Sequence, residues 1–247
     1  MNSSMNKIIE LKSLSHTFGE TLKVLDDISI TINKNDFLTI VGPSGCGKST
    51  LFKIITKLIK SYDGEIIIKN IKLQDSSELL GYMPQKDLLL PWRTLYKNII
   101  LPKEIAKIKV NEEEIDEYLE IFGLKAFKNH FPHQLSGGMK QRAALLRTFL
   151  MGSDIVLLDE PFAALDYLTK RKLQIWFLDV FKKLNKTVIF ITHDIDEALA
   201  LSNRIVVLSN LPARILKEFT IDQDIDKTDP FSPELLEIKK EIINLVE

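Results

Sequence analysis

Apolar residues fall along this chain in two rhythms. Asp36-Phe37-Leu38-Thr39-Ile40-Val41, Ile155-Val156-Leu157-Leu158, the run 187–192 and Ile205-Val206-Val207-Leu208 are short and continuously apolar, the pattern of strands buried on both faces. Ile28-Ser29-Ile30-Thr31-Ile32 alternates instead, which predicts a half-buried strand over Leu22–Ile32. Ile8–Leu11 and Gly64–Ile68, the latter after an Asp-Gly turn, read as further strands, and 79–85 as one that ends at Pro84. Leu51, Ile54, Ile55 and Leu58 recur at i, i+3, i+4 and i+7, one face of a helix. A second helix is predicted over Asn111–Phe122 with Asn111 as its cap, and a third over Pro233–Val246. Strands alternating with helices make this an α/β chain, with no internal repeat.

Composition narrows the class. The 247 residues are 45% hydrophobic, enough for a sizeable core. Charge is balanced, with 33 basic and 34 acidic side chains, which argues against a generic nucleic-acid binder. The single cysteine, Cys46, excludes an internal disulfide and a cysteine-based zinc site. The first residues show no apolar core of a signal peptide, and no run of 18 apolar residues occurs, so a cytosolic chain is expected.

Chemistry gathers where apolar runs stop. Gly42-Pro43-Ser44-Gly45-Cys46-Gly47-Lys48-Ser49-Thr50 fits G-x-x-x-x-G-K-[ST] between a buried strand and a helix. Glycines there let backbone N–H groups turn inward around a phosphate, and the helix N-terminus adds about 0.3–1 kcal/mol for a nearby anion. Lys48 is expected on the β/γ-phosphates and Ser49 on Mg²⁺, so the loop binds a nucleoside triphosphate. Asp159 and Glu160 end the strand 155–158, at the sheet edge where α/β proteins place their chemistry. There Asp159 suits Mg²⁺ and Glu160 an attacking water; a solvated acidic turn is the plainer alternative. Ser136-Gly137-Gly138 before a helix offers free N–H groups, as an ordinary helix cap also would. His193 ends the strand 187–192, and Phe18 precedes the Gly19 turn; each on its own would more often be structural.

Together these motifs resemble an ABC-transporter ATP-binding subunit over about residues 8–215. Gly42–Thr50 matches its Walker A loop and Ile155–Glu160 its Walker B strand. Ser136-Gly137-Gly138 matches the signature, Gln85 the Q-loop glutamine, Ala164-Leu165-Asp166 the D-loop, His193 the switch histidine and Phe18 the adenine-stacking aromatic. The resemblance implies a P-loop NTPase (RecA-like) core with an inserted helical subdomain and an N-terminal antiparallel β region. Its parts would be core over 1–85 and 148–220, insertion over 86–147 and a tail over 221–247. It implies ATP and Mg²⁺ as cofactors, with Ser49, Gln85 and Asp159 toward the metal and Glu160, His193 and Gln85 as catalytic residues. Phe18, Gly42–Thr50 (Gly42, Pro43, Ser44, Gly45, Cys46, Gly47, Lys48, Ser49 and Thr50) and Ser136, Gly137 and Gly138 would bind nucleotide, the last three from the partner of a head-to-tail dimer.

The implied partners are a second copy, a separate membrane permease and, indirectly, a solute-binding protein, with the subunit on the inner face of the membrane. Leu88–Trp92, Phe162–Asp166 and Thr192–Ala198 resemble the nitrate/sulfonate/taurine importers, although Pro212-Ala213-Arg214-Ile215 and Leu146-Arg147-Thr148-Phe149 depart from that branch. An exporter or force-transmitting subunit is the competing expectation. A DNA-acting ABC ATPase is disfavoured by the short span from Gln85 to Ser136, and a phosphate-loop kinase leaves Ser136–Gly138 and His193 unexplained. The apolar cluster Leu88-Leu89-Leu90-Pro91-Trp92 is expected to face the permease, unless it packs the insertion's own core.

Overall fold

The computed structural model describes residues 6–183, 185–222, 225, 227 and 232–246. The chain forms two compact units, Met1–Leu79 with Leu184–Glu247 and Leu80–Lys183. The first unit begins with β1 (Lys7–Phe18), β2 (Leu22–Asn33), β3 (Phe37–Val41), α1 (Lys48–Ile55), β4 (Asp63–Ile68) and β5 (Ile71–Lys72). The second holds β6 (Gly81–Met83), α2 (Leu95–Ile99), α3 (Leu101–Ile105), α4 (Glu112–Ile121), α5 (Gly137–Phe149), β7 (Ile155–Asp159) and α6 (Tyr167–Lys183). The chain returns to the first unit through β8 (Thr187–Ile191), α7 (Ile195–Leu201), β9 (Arg204–Leu208), β10 (Ile215–Thr220) and α8 (Pro233–Val246).

In the first unit β3 lies between β8 and β9, parallel to both, with Thr39 opposite Phe190 on one side and Ile205 on the other. Every residue of β3 and β8 is buried, which is why their sequences are continuous rather than alternating. β10 adds an antiparallel edge to β9. Only Phe219 of β10 is buried, so its sequence carries no periodic signal and no strand was expected there.

The N-terminal strands make a separate antiparallel sheet in the order β2-β1-β4-β5. Gly64 lies inside β4, not in a turn before it. A Cβ at Gly64 would come within 2.5 Å of the carbonyls of Lys12 and Ser13, so only glycine lets β4 approach β1 there. The helix after the phosphate loop is shorter than its periodicity suggests. Lys57 turns left-handed (φ 62°), α1 stops at Ile55, and Leu58 is exposed while Leu51, Ile54 and Ile55 are buried.

In the second unit β6 pairs parallel with β7 and is only three residues long, with Leu79 exposed ahead of it. Asn111 caps α4 as expected, accepting from the Glu113 N–H. An aromatic cluster joins α4, α5 and α6. Trp176 meets Phe122 edge to face at 4.7 Å and Phe149 at 5.5 Å, and Tyr118 meets Phe149 at 5.3 Å. Such pairs contribute about 0.5–1.5 kcal/mol each beyond their burial.

The C-terminal helix is part of the first unit's core. Leu235 and Ile242 of α8 are buried with Val41, Leu199, Ile205, Val207 and Phe219. Ion pairs Lys239–Asp196 and Lys217–Glu241 flank this contact. Ile242→Ala should therefore lower unfolding stability by about 2–5 kcal/mol. Urea unfolding checks this, and a loss below about 1 kcal/mol would mean the helix is only loosely attached.

Candidate functional site

In the first unit the loop 42–47 joins the buried β3 to α1. Gly45 (φ 78°) and Gly47 (φ 113°) both adopt left-handed backbone, and a Cβ on Gly47 would lie 2.7 Å from the Val24 side chain. Because Gly47 is also the cap of α1, no side chain satisfies the first N–H groups of that helix, which point toward the loop's concavity. Lys48 is 6% exposed, and its Nζ donates to the carbonyls of Gly42 and Pro43, each at 2.8 Å. The Sγ of the buried Cys46 lies 3.8 Å away. Its ammonium is held by dipoles and, among the described residues, by no carboxylate. Ser44 and Gly45 are exposed, and Ser49 and Thr50 half-buried. A buried cation beside uncapped helical N–H groups favours a polyanion such as a triphosphate.

Phe18 ends β1 with 44% of its surface exposed. His16 meets its ring edge to face at 4.5 Å and donates from Nδ1 to the Ser61 carbonyl at 2.6 Å. The other ring nitrogen, Nε2, is buried with no partner among the described residues. His193 is exposed just after β8. Asp194 next to it caps α7 by accepting from Asp196 and Glu197, and Thr192 donates to the Glu197 carboxylate at 2.6 Å.

The second unit holds the remaining predicted residues. β7 ends in Asp159, buried, and the next residue, Glu160, has φ 51°. A left-handed backbone costs a non-glycine residue about 1–2 kcal/mol, so neighbours must hold it. Gln85 donates to Glu160 Oε2 at 3.2 Å, which joins two of the predicted catalytic residues. Gln141 donates to the Glu160 carbonyl at 3.1 Å. Burial and the neighbouring Asp159 charge push the Tyr82 phenol up to about 12, so it stays neutral beside that carboxylate.

Ser136 caps α5, its Oγ accepting from the Met139 N–H at 3.3 Å, and Ser136 and Gly137 are exposed. A Cβ on Gly137 would meet nothing, whereas one on Gly138 would lie 3.1 Å from the Ala164 carbonyl. Arg142 ties this turn down, donating to the carbonyls of Gly138 (3.3 Å) and Phe122 (2.6 Å). Asp166 accepts from the Thr169 N–H, which holds its carboxyl below the usual range. Gln141, Arg142 and His16 are site neighbours that the motifs did not single out. Gln141 carried one signal: it is a polar residue on the buried face of α5 shared with Ala144 and Leu145.

Residues 25–163 match the family model described as ABC transporter. The chain belongs to this family. It is 42% identical over 217 residues to the aliphatic sulfonates import ATP-binding protein SsuB of Bacillus cereus, covering 88% of this chain and 85% of that protein. It is 36% identical to the formylaminopyrimidine import ATP-binding protein ThiZ of Halalkalibacterium halodurans, with 96% of each covered. Among solved structures, the ATP-binding cassette MJ0796, a dimer in a post-hydrolysis state with ADP and Pi, superposes with a TM-score of 0.76 at 31% identity, covering 87% of this chain and 99% of that one. The chain is thus an ABC-type ATPase on a P-loop NTPase fold.

The structure divides the apolar run that follows Gln85 in this ABC subunit. Arg147 donates to the carbonyls of Asp87 (2.7 Å) and Leu88 (2.9 Å). The buried Asn98 accepts from the Leu90 N–H at 2.7 Å and donates to the carbonyls of Leu90 and Arg93. Held this way, Leu89 is turned inward at 8% exposure, while Leu88 (61%) and Trp92 (72%) face out. The expectation of one continuous docking face is therefore corrected: Leu89 belongs to the core. Leu89→Glu should lower the melting temperature by more than about 5 °C, because it buries an unpaired charge, and Trp92→Glu should leave it within about 2 °C. Thermal unfolding of the two variants checks the division, and equal effects would refute it.

Proposed function

We propose that this ABC ATPase powers uptake of a small solute through a separate membrane permease, working as one of two copies on the inner face of the membrane. The observation that carries the ATPase half is Lys48, a buried ammonium bonded to the loop carbonyls of Gly42 and Pro43 and, among the described residues, to no carboxylate, beside uncapped helical N–H groups. Import is supported by relatives named as import subunits, for aliphatic sulfonates and for formylaminopyrimidine, and a small sulfonate or similar solute is our reading of the cargo. No helix among the described residues is long and apolar enough to cross a membrane, and the relatives are named as ATP-binding proteins of import systems; both support a separate permease.

In this reading the N–H groups of 42–50 and Lys48 bind the β/γ-phosphates, and Phe18 stacks on the base. Ser49, Asp159 and Gln85 offer only oxygen donors, the hard set Mg²⁺ prefers, and the ion when bound neutralises phosphate charge. Glu160 accepts the proton of the attacking water, a role worth roughly 10²–10⁴ in rate. Gln85, hydrogen-bonded to that carboxylate, orients it, and His193 contacts the γ-phosphate. Ser136–Gly138 binds the γ-phosphate held by the partner copy: its hydroxyl and N–H groups need no mobile side chain, and Gly137 leaves room for close approach. Binding of ATP then closes the dimer and hydrolysis reopens it.

Glu160→Gln should retain ATP binding, lose hydrolysis by roughly 10²–10⁴-fold and accumulate as an ATP-dependent dimer in gel filtration. Turnover at the parental rate would remove Glu160 from the role of base. Trp92→Glu should keep ATP affinity and folding yet lose permease in a pull-down from native membranes. Undiminished capture would place the docking face elsewhere.

A further inference from the structure

Gln141 is 6% exposed on the buried side of α5, which it shares with Ala144, Leu145 and Thr148. A leucine or methionine would fill such a position without burying an amide, and a buried amide must be paired. Its Nε2 donates to the carbonyl of Glu160 at 3.1 Å. Glu160 is the residue whose backbone is left-handed, at φ 51°, where a β-carbon is disfavoured and the conformation persists only if neighbours hold it. Two side-chain amides therefore converge on one glutamate: Gln85 on its carboxylate and Gln141 on its peptide.

We propose that Gln141 is a positioning residue for Glu160, fixing the backbone from which the base projects. The proposal rests on the reading of Glu160 as the base. Gln141 lies five residues past Ser136, the cap of the continuous helix α5, a rise of roughly 7.5 Å. One rigid rod thus carries at its start Ser136–Gly138, the element assigned to the partner's nucleotide, and one turn later the amide that sets this subunit's own Glu160.

The test uses the full chain as its dimer. Gln141→Met keeps length and removes the donor. It should lower kcat about tenfold, leave KM for ATP within about twofold, and leave the melting temperature unchanged. Gln141→Leu, apolar and likewise unable to donate, should show the same split, and decides the matter if the methionine variant folds poorly. Mixed dimers separate positioning from a general structural role. A Glu160→Gln protomer paired with a Gln141→Met protomer should turn over about tenfold more slowly than Glu160→Gln paired with parent. Placing both changes in one protomer beside a parental partner should add no loss. A kcat for both Gln141 variants within twofold of parent, or a loss that follows the partner's site instead, overturns the proposal. If Glu160→Gln alone hydrolyses ATP normally, the reading of the base fails first and the proposal with it.

Discussion

A positive charge kept away from water by carbonyl oxygens and a thiol, with no carboxylate among the described residues bonded to it, is the constraint on which the nucleotide half of this protein turns. The ammonium of Lys48 has left water for the carbonyls of Gly42 and Pro43. Dipoles offset part of its lost hydration and leave its charge uncancelled. The loop can offer those carbonyls only because Gly45 and Gly47 take left-handed backbone and Gly47 packs directly on Val24. The anchoring runs deeper through β3, buried on both sides and paired in parallel with β8 and β9. Rigid strands, a permissive loop and an unneutralised cation thus form one device. It needs no rearrangement to favour a polyphosphate, which is what preorganisation means energetically.

The second unit works on a different principle. Its side chains are positioned through peptide groups. Arg142 holds the carbonyls of Gly138 and Phe122, Arg147 those of Asp87 and Leu88, Asn98 those of Leu90 and Arg93, and Gln141 that of Glu160. Each polar side chain adds a bond to carbonyls in loops or at helix ends, two of which, those of Leu90 and Glu160, also accept from the N–H groups of Arg93 and Ala163. Burial lowers the pKa of Arg142 and Arg147 from the ordinary arginine value, and their charge-assisted bonds to those carbonyls offset part of the lost hydration.

Much of this was legible beforehand because phosphate chemistry demands particular residues at fixed spacing. Glycines, Lys48 and the acidic pair at a strand end are tied to their places by backbone geometry, and the buried strands announce themselves by unbroken apolar runs. What stayed hidden depends on partners distant in sequence. No period distinguishes Leu89 from Leu88, since their opposite exposures follow from Asn98 and Arg147 gripping the chain on either side. β10 was invisible because an edge strand with a single buried residue has no pattern to show. The helix 112–121 was readable from its cap, yet its aromatic contacts with Phe149 and Trp176 were not, because they join three separate segments. Gln141 could be noticed as an oddity but not assigned until Glu160 stood beside it.

The docking of α8 also constrains how this sequence can drift. Val41, the last residue before the phosphate loop, shares its packing layer with Leu235 and Ile242. Close-packed interiors transmit a change in volume to their neighbours. A bulkier side chain at Ile242 would press on the strand end from which Gly42 departs, where the Leu208 carbonyl already leaves only 3.0 Å for a Cβ. Drift in the last turns of the chain is thereby coupled to the most exacting loop in the molecule. A segment without a motif of its own thus inherits part of the restraint of one.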